Sequence, residues 1–208
     1  SKKTNSLQEL EEHKKKGAAG VRLTATTRSP GPDKLAIWRK AAELKMVVSC
    51  MGTVEEFSSD EFLELVSEFP YMPIIIEHLA GGGEEISFPR NGRAPVAPYI
   101  QFQKAMELSG FDNTYLKIHG LGEFNKRPDA LNDKFDMEFF DQIPPLLEIA
   151  KTSFGHRRIM WGSDYPPVSG REGYRNSMKS VTMNPVFSAP TESEWIMGKT
   201  ALTLFNFE

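Results

Sequence analysis

Met46-Val47-Val48-Ser49-Cys50-Met51-Gly52 reads as an apolar strand closed by a glycine. The Ser58 and Glu61 that follow have the spacing of a helix-capping box, with Phe62, Leu65, Val66 and Phe69 on one face of the helix they open. Strand then helix, each about the length of one layer, is the repeating unit of an α/β protein. Upstream, Val21-Arg22-Leu23-Thr24-Ala25 supplies a strand, and Asp33 to Leu44 a helix with Leu35, Ile37, Trp38, Ala41 and Leu44 near helical spacing. Ser6 to Lys16 opens the chain as a charged, solvent-facing helix stopped at Gly17.

Downstream the unit recurs. Pro73-Ile74-Ile75-Ile76-Glu77-His78 and Thr114-Tyr115-Leu116-Lys117-Ile118-His119 are strands, with a helix containing Ile100, Phe102, Ala105, Met106 and Leu108 between them. A helical region interrupted at Pro144-Pro145 resumes as Leu146-Leu147-Glu148-Ile149-Ala150 and precedes Arg158-Ile159-Met160-Trp161-Gly162-Ser163-Asp164-Tyr165-Pro166-Pro167, the fifth strand, whose prolines stop it. A last helix is expected from a capping box at Thr191 and Glu194. Apolar strands alternating with amphipathic helices predict a parallel sheet covered by helices, because each crossover returns over a face of the sheet.

The connections are asymmetric. Segments after strands (79–95, 120–136, 164–175) are long and rich in glycine, proline and charge, whereas those before strands are short. In β/α barrels and open α/β sheets the site sits at the C-terminal ends of the strands, so this asymmetry places function on that end.

The totals exclude several classes. With 208 residues, 39% hydrophobic and 25% charged, the chain can bury one full core. A formal net charge of -3 without a long basic run argues against a nucleic-acid or membrane-surface partner. Cys50 is the single cysteine, which removes a disulfide framework and a cysteine-rich zinc site and fits a cytoplasmic location. No apolar run approaches the ~20 residues of a spanning helix.

Ionisable residues close the apolar strands. Asp164 can take a proton from water or bind a metal, or can be a turn aspartate in Gly-Ser-Asp. His78 can ligate a metal or polarise a carbonyl, or can be a core histidine. His119 shares its facing with Tyr115 and Lys117 and can belong to a polar interior layer. Arg22 can clamp a substrate carboxylate or form a buried ion pair, and Lys117 can stabilise an oxyanion or pair with an internal acid. His13, His156 and Cys50 are assigned no role. Gly198-Lys199-Thr200 lacks the preceding strand and glycine of a phosphate loop, and Gly81 to Gly83 lacks dinucleotide-binding spacing.

Four stretches together resemble successive strand motifs of the amidohydrolase-2 family: Gly20-Val21-Arg22-Leu23, Ile74 to Gly81, Tyr115 to Leu121, and Arg158 to Pro166, whose Gly-Ser-Asp-Tyr-Pro is the most specific. The resemblance implies a (β/α)8 TIM barrel of which this chain supplies strands four to eight, with His78 ending strand six and Asp164 ending strand eight. It implies a divalent metal, zinc before others, with His78 and Asp164 as catalytic and metal-binding residues, and Arg22, Lys117 and His119 binding a small anionic substrate.

The family includes lactonases of sugar-acid or dicarboxylate lactones and metal-dependent decarboxylases of aromatic or muconate-type acids. Decarboxylase-like members carry a metal-binding histidine at the end of strand five, where this chain has Ser49-Cys50-Met51; that departure favours a lactonase. Family lactonases tend to carry serine at the position of His119, which points the other way. The family's His-x-His pair on strand one has no counterpart in this sequence. Three βα units of a ~250-residue barrel are then expected upstream, and the chain is expected to need them or a partner, a homo-oligomer included, to cover its sheet edges. Three functions stay open: a lactonase, a decarboxylase, and an inactive fragment or interaction module.

Overall fold

The computed structural model describes residues 6–81, 97–119, 145–170 and 172–206. Five strands, β1 (Gly20–Thr24), β2 (Val47–Met51), β3 (Ile74–Ile76), β4 (Thr114–Ile118) and β5 (Ile159–Trp161), form one sheet in chain order. Every neighbouring pair is parallel. Helices fill the crossovers: α1 (Ser6–Lys15) precedes β1, and α2 (Ala36–Glu43), α3 (Val54–Phe57), α4 (Asp60–Ser67), α5 (Ile100–Ala105) and α6 (Leu146–Phe154) lie between strands. After β5 come α7 (Tyr174–Thr182), α8 (Pro190–Glu194), a π turn at Trp195–Lys199, and α9 (Thr200–Leu204).

The two faces of the sheet are unlike. Leu23, Val48, Cys50, Ile74, Ile76, Leu116, Ile118 and Ile159 pack with Trp38, Phe62 and Phe102 in the large core between sheet and helices. Alternate residues Val47, Ile75 and Met160 form a small separate cluster with Tyr115, Leu204 and Phe205. Higher on that second face the side chains turn polar. Register sets Arg22 opposite Ser49, Ser49 opposite Ile75, and Lys117 opposite Met160, so Arg22, Ser49 and Lys117 share it.

Local differences from the sequence expectations have identifiable causes. The expected helix from Asp33 begins at Ala36, because the Asp33 carboxylate accepts from Leu35 N at 3.0 Å and forms a turn first. The capping box is at Thr53 and Glu56, which opens α3, and α4 is capped by Ser59 accepting from Phe62 N at 3.2 Å. Glu61 instead meets the Arg28 guanidinium at 2.6 Å. Arg158 lies in a 3-10 turn rather than a strand, donating to the Ser109 and Phe111 carbonyls at 2.9 Å each. Thr191 and Glu194 do not cap the last helix region: Pro190 occupies its first turn, and Glu192 accepts from Ala189 N at 3.4 Å.

Helix α7 has no counterpart in the sequence reading. Its buried positions include Asn176, Ser177 and Ser180, so its inward face has no apolar stripe to detect. Trp161 Nε1 donates to Ser177 Oγ at 3.3 Å and ties this polar face to β5. Of the long loops expected after strands, 82–96 and 120–144 lie outside the described residues.

A charged latch secures α8. Lys151 Nζ approaches Glu192 Oε1 at 2.7 Å and donates to Val186 O at 2.6 Å. The Lys151 hydrogen bond, helped by Ala189 N–H and opposed by a smaller effect of burial, holds the Glu192 carboxyl below the usual carboxylate range. A carboxyl with a depressed native pKa contributes stability that is complete above its ordinary value of 4.5 and is lost as pH falls through the native value. Thermal unfolding midpoints should therefore fall more steeply below about pH 5 in the wild type than in Glu192→Gln. Parallel curves would remove the latch from acid stability.

Candidate functional site

At the C-terminal end of the sheet a buried acid organises the polar layer. Glu77 follows β3 directly, its side chain 4% exposed. Its Oε2 accepts from Arg22 Nη2, and its Oε1 accepts from Lys117 Nζ and Ser49 Oγ. Lys117 Nζ also lies 3.3 Å from Ser49 Oγ. One side chain thus joins β1, β2 and β4. On β5's side, a Cβ added to Gly162 would lie 3.1 Å from Lys117 Cδ, so the glycine leaves room for the lysine stem.

Burial pushes the Glu77 carboxyl up, but hydrogen bonds from Lys117 and Ser49 and the charges of Lys117 and Arg22 outweigh it and hold it below the usual carboxylate range. The layer then carries two cations against one anion. Arg22 spends only Nη2 on Glu77; among the described residues its Nε and Nη1 make no hydrogen bond, and its side chain is 55% exposed. Of the alternatives open for Arg22 and Lys117, the ion pair with an internal acid is therefore present, and it leaves Arg22 donors available.

Immediately beyond Glu77 the backbone turns left-handed. His78, Leu79 and Ala80 have φ of 52°, 51° and 54°, and Gly81 continues at 72°. For non-glycine residues this costs roughly 1–2 kcal/mol each. Leu79 and Ala80 are completely buried, and Leu79 N still donates to Lys117 O at 2.9 Å, so packing and sheet pairing offset the strain. The turn ends β3 two residues before the His78 end expected from sequence and aims His78 at its neighbours. Its ring centroid is 4.7 Å from that of His119, which is itself buried. His78 Nε2 lies 4.0 Å from Asp164 Oδ1, both side chains being about one-fifth exposed, at 20% and 17%. Asp164, also left-handed at φ 54°, heads the turn after β5.

The structure thus brings together His78, His119 and Asp164 at one place, and joins Arg22 and Lys117 on Glu77, the residue before His78. Ser49 and Glu77 are the residues that sequence reasoning did not select. A signal for Glu77 existed: it shares the facing of Ile75 in a strand whose neighbour carries Lys117. A catalytic zinc takes three protein ligands and a water. Among the described residues no group of three or more His, Cys, Asp or Glu side chains converges, so His78 and Asp164 do not by themselves make a metal site.

Five parallel strands in chain order with ionisable groups at their C-terminal ends match a known arrangement. An amidohydrolase family model matches residues 2–207. The chain belongs to the amidohydrolase family. No curated protein gives a significant match. Solved members of the family's barrel do. The probable 2-pyrone-4,6-dicarboxylic acid hydrolase of Acinetobacter baumannii, solved with citric acid bound, superposes with a TM-score of 0.72 at 18% identity, covering 98% of this chain and 70% of that one. An amidohydrolase of Burkholderia multivorans with bound zinc gives 0.68 at 16% identity, covering 94% and 68%. The 5-carboxyvanillate decarboxylase of Sphingomonas paucimobilis gives 0.54 at 12%, covering 96% and 62%.

At these identities the likeness establishes the fold: the five strands are a section of an amidohydrolase TIM barrel. The small cluster around Ile75 and Met160 is the barrel interior, and the Glu77 layer lies above it toward the mouth. The family and these neighbours are enzymes, hydrolases and decarboxylases among them. No helix among the described residues is long and apolar enough to cross a membrane.

Proposed function

We propose that the protein hydrolyses a lactone of a sugar acid or dicarboxylate. The observation that carries this reading is the surplus positive charge of Arg22 and Lys117 over Glu77, the residue before His78, at the same end of the sheet as the His78–Asp164 pair. An anionic ring held by Arg22 and Lys117 would present its ester carbonyl to that pair. Asp164 takes a proton from water as the water oxygen bonds to the carbonyl carbon. A protonated His78 nitrogen donates to the carbonyl oxygen as it becomes negative. When the ring C–O bond breaks, the proton on Asp164 passes to the leaving oxygen. The products are a carboxylic acid, which loses its remaining proton to solvent to become a carboxylate, and a hydroxyl or its keto tautomer.

In this reading His119, whose ring lies 4.7 Å from that of His78, contributes to substrate binding from the β4 side. The zinc-bound Burkholderia neighbour supports a divalent metal, zinc before others, with His78 and Asp164 among its ligands. The described residues supply only two of the donors such an ion takes, and Asp164 and His78 carry the ring-opening step as side chains.

The test is a pH-stat assay of the intact protein on cyclic esters with and without carboxylates. Acid release should favour the carboxylated rings in kcat/KM. Arg22→Gln should raise KM on the order of tenfold while kcat changes little, because a charged hydrogen bond to bound substrate is lost. Carbon dioxide release in place of ring opening would overturn the hydrolytic reading in favour of decarboxylation. Equal rates on neutral and anionic rings would overturn the role of the cations.

A further inference from the structure

Glu77 is placed where no reacting atom needs it. Its carboxylate is buried below the mouth, and among the described residues it bonds only to side chains of the inner layer: Arg22, Ser49 and Lys117. Nothing in the ring-opening step uses it as acid or base. A buried anion held by two cations and a hydroxyl costs desolvation, so its presence calls for an account.

The cations provide one. Arg22 stands on the first strand and Lys117 on the fourth, and both have long flexible stems that lose rotamer freedom when they are fixed. Without an acid between them they repel, and the half-exposed Arg22 swings to solvent. With Glu77 in place, one carboxylate oxygen takes Arg22 and the other takes Lys117. Two cations from opposite ends of a four-strand span are thus fixed relative to one another. Ser49, in register with Arg22, donates to the oxygen that Lys117 uses. Gly162 clears the path of the Lys117 stem. Arg22 keeps Nε and Nη1 for a ligand.

We propose that Glu77 is a positioning residue that presets the separation of Arg22 and Lys117 and so builds the anion-binding half of the site before substrate arrives. The inference rests on the anion-binding reading above. It differs in what it demands: loss of an anion's own repeller should weaken, not strengthen, anion binding. Simple electrostatics predicts the reverse, since removing a negative charge raises the local positive potential.

The probe is citrate, followed by isothermal titration on the intact protein, which separates affinity from the fraction of folded sites. Glu77→Gln should weaken citrate on the order of tenfold, with the number of sites kept. Ser49→Ala, which leaves both ion pairs, should weaken it by about two- to threefold and guards against a Glu77 variant that does not fold. On a carboxylated lactone the same variants should raise KM and leave kcat within about twofold, whereas a merely structural role lowers the active fraction and leaves KM alone.

An affinity that is unchanged or tighter in both variants overturns the proposal, as does failure of the wild type to bind citrate at millimolar concentration. If citrate binding weakens as expected but no lactone is opened, Glu77 keeps its role and the hydrolase reading fails. If lactones are opened and neither Kd nor KM moves, the hydrolase reading stands and the positioning role fails.

Discussion

Asp164→Asn should lower kcat for lactone opening by about 10²–10⁴-fold, the range that a positioned general base contributes. Asparagine is the informative substitution because it keeps the shape of the side chain and tolerates the left-handed backbone at this position, where φ is 54°. It cannot accept a proton from water. A substitution to alanine would mix lost chemistry with backbone strain. The thermal midpoint of the variant should stay close to that of the wild type, since Asp164 sits partly exposed at the mouth and not in the core. KM should also hold, because Arg22 and Lys117 carry the substrate's charge in this reading. The pattern that would sink the assignment is a near wild-type kcat in Asp164→Asn. If His78→Gln then abolished turnover, His78 would be the base and Asp164 its orienting partner.

The fold was legible where physics repeats. Val47 to Met51, Ile74 to Ile76 and Thr114 to Ile118 are apolar strands between amphipathic helices, and the parallel five-strand sheet follows from that alternation. Helix α7 was not legible, because Asn176, Ser177 and Ser180 give its buried face a polar composition that only the partner surface explains. The positions of His78 and Asp164 at strand ends could be read from their place after apolar runs, but their 4.0 Å separation could not. The two residues lie far apart in the chain, and only the sheet order brings them together.

Glu77 shows a different failure of sequence reasoning. Each of Arg22 and Lys117 is open to an ion-pair reading from sequence, and the acid that satisfies both sits at the end of an Ile-Ile-Ile-Glu run. Parity alone would have identified it: Glu77 faces with Ile75, Ile75 pairs with Tyr115, and Tyr115 faces with Lys117. What parity could not supply is the left-handed turn that begins at the next residue. No propensity argument places three non-glycine residues in that region in succession, so the aim of His78 depended on tertiary packing.

Gly81 is where that packing is most exposed to a single change. A Cβ there would lie 2.4 Å from Gly52 O, 2.6 Å from Thr53 C and 2.7 Å from Val54 N. All three are backbone atoms, so no side-chain rotation can relieve the overlap. Their segment is also pinned, because the Thr53 and Glu56 side chains each cap the other's backbone at the start of α3. Gly81 has φ of 72° in addition, which a side chain disfavours by about 1–2 kcal/mol. Overpacking against fixed atoms adds about 1–3 kcal/mol. Gly81→Ala should therefore cost about 2–5 kcal/mol in urea unfolding, a large share of the ~5–15 kcal/mol of an ordinary domain.

Gly155→Ala separates the two contributions. Gly155 also has positive φ, at 66°, but with ψ of 157° it lies in a region that side chains hardly ever adopt, and a Cβ there meets nothing within 4 Å, so a backbone cost of about 1–3 kcal/mol applies alone. Destabilisation by Gly81→Ala beyond that of Gly155→Ala is the least that the close approach of residue 81 to the β2–α3 turn adds. Because His78 starts the same left-handed turn, the folded fraction of Gly81→Ala should also lose turnover, whereas folded Gly155→Ala should keep it. A cost for Gly81→Ala of no more than about 1–2 kcal/mol, the backbone cost alone, would mean that the Gly81 contact yields freely, and the turn that aims His78 would have to be held by Leu79 and Ala80 instead.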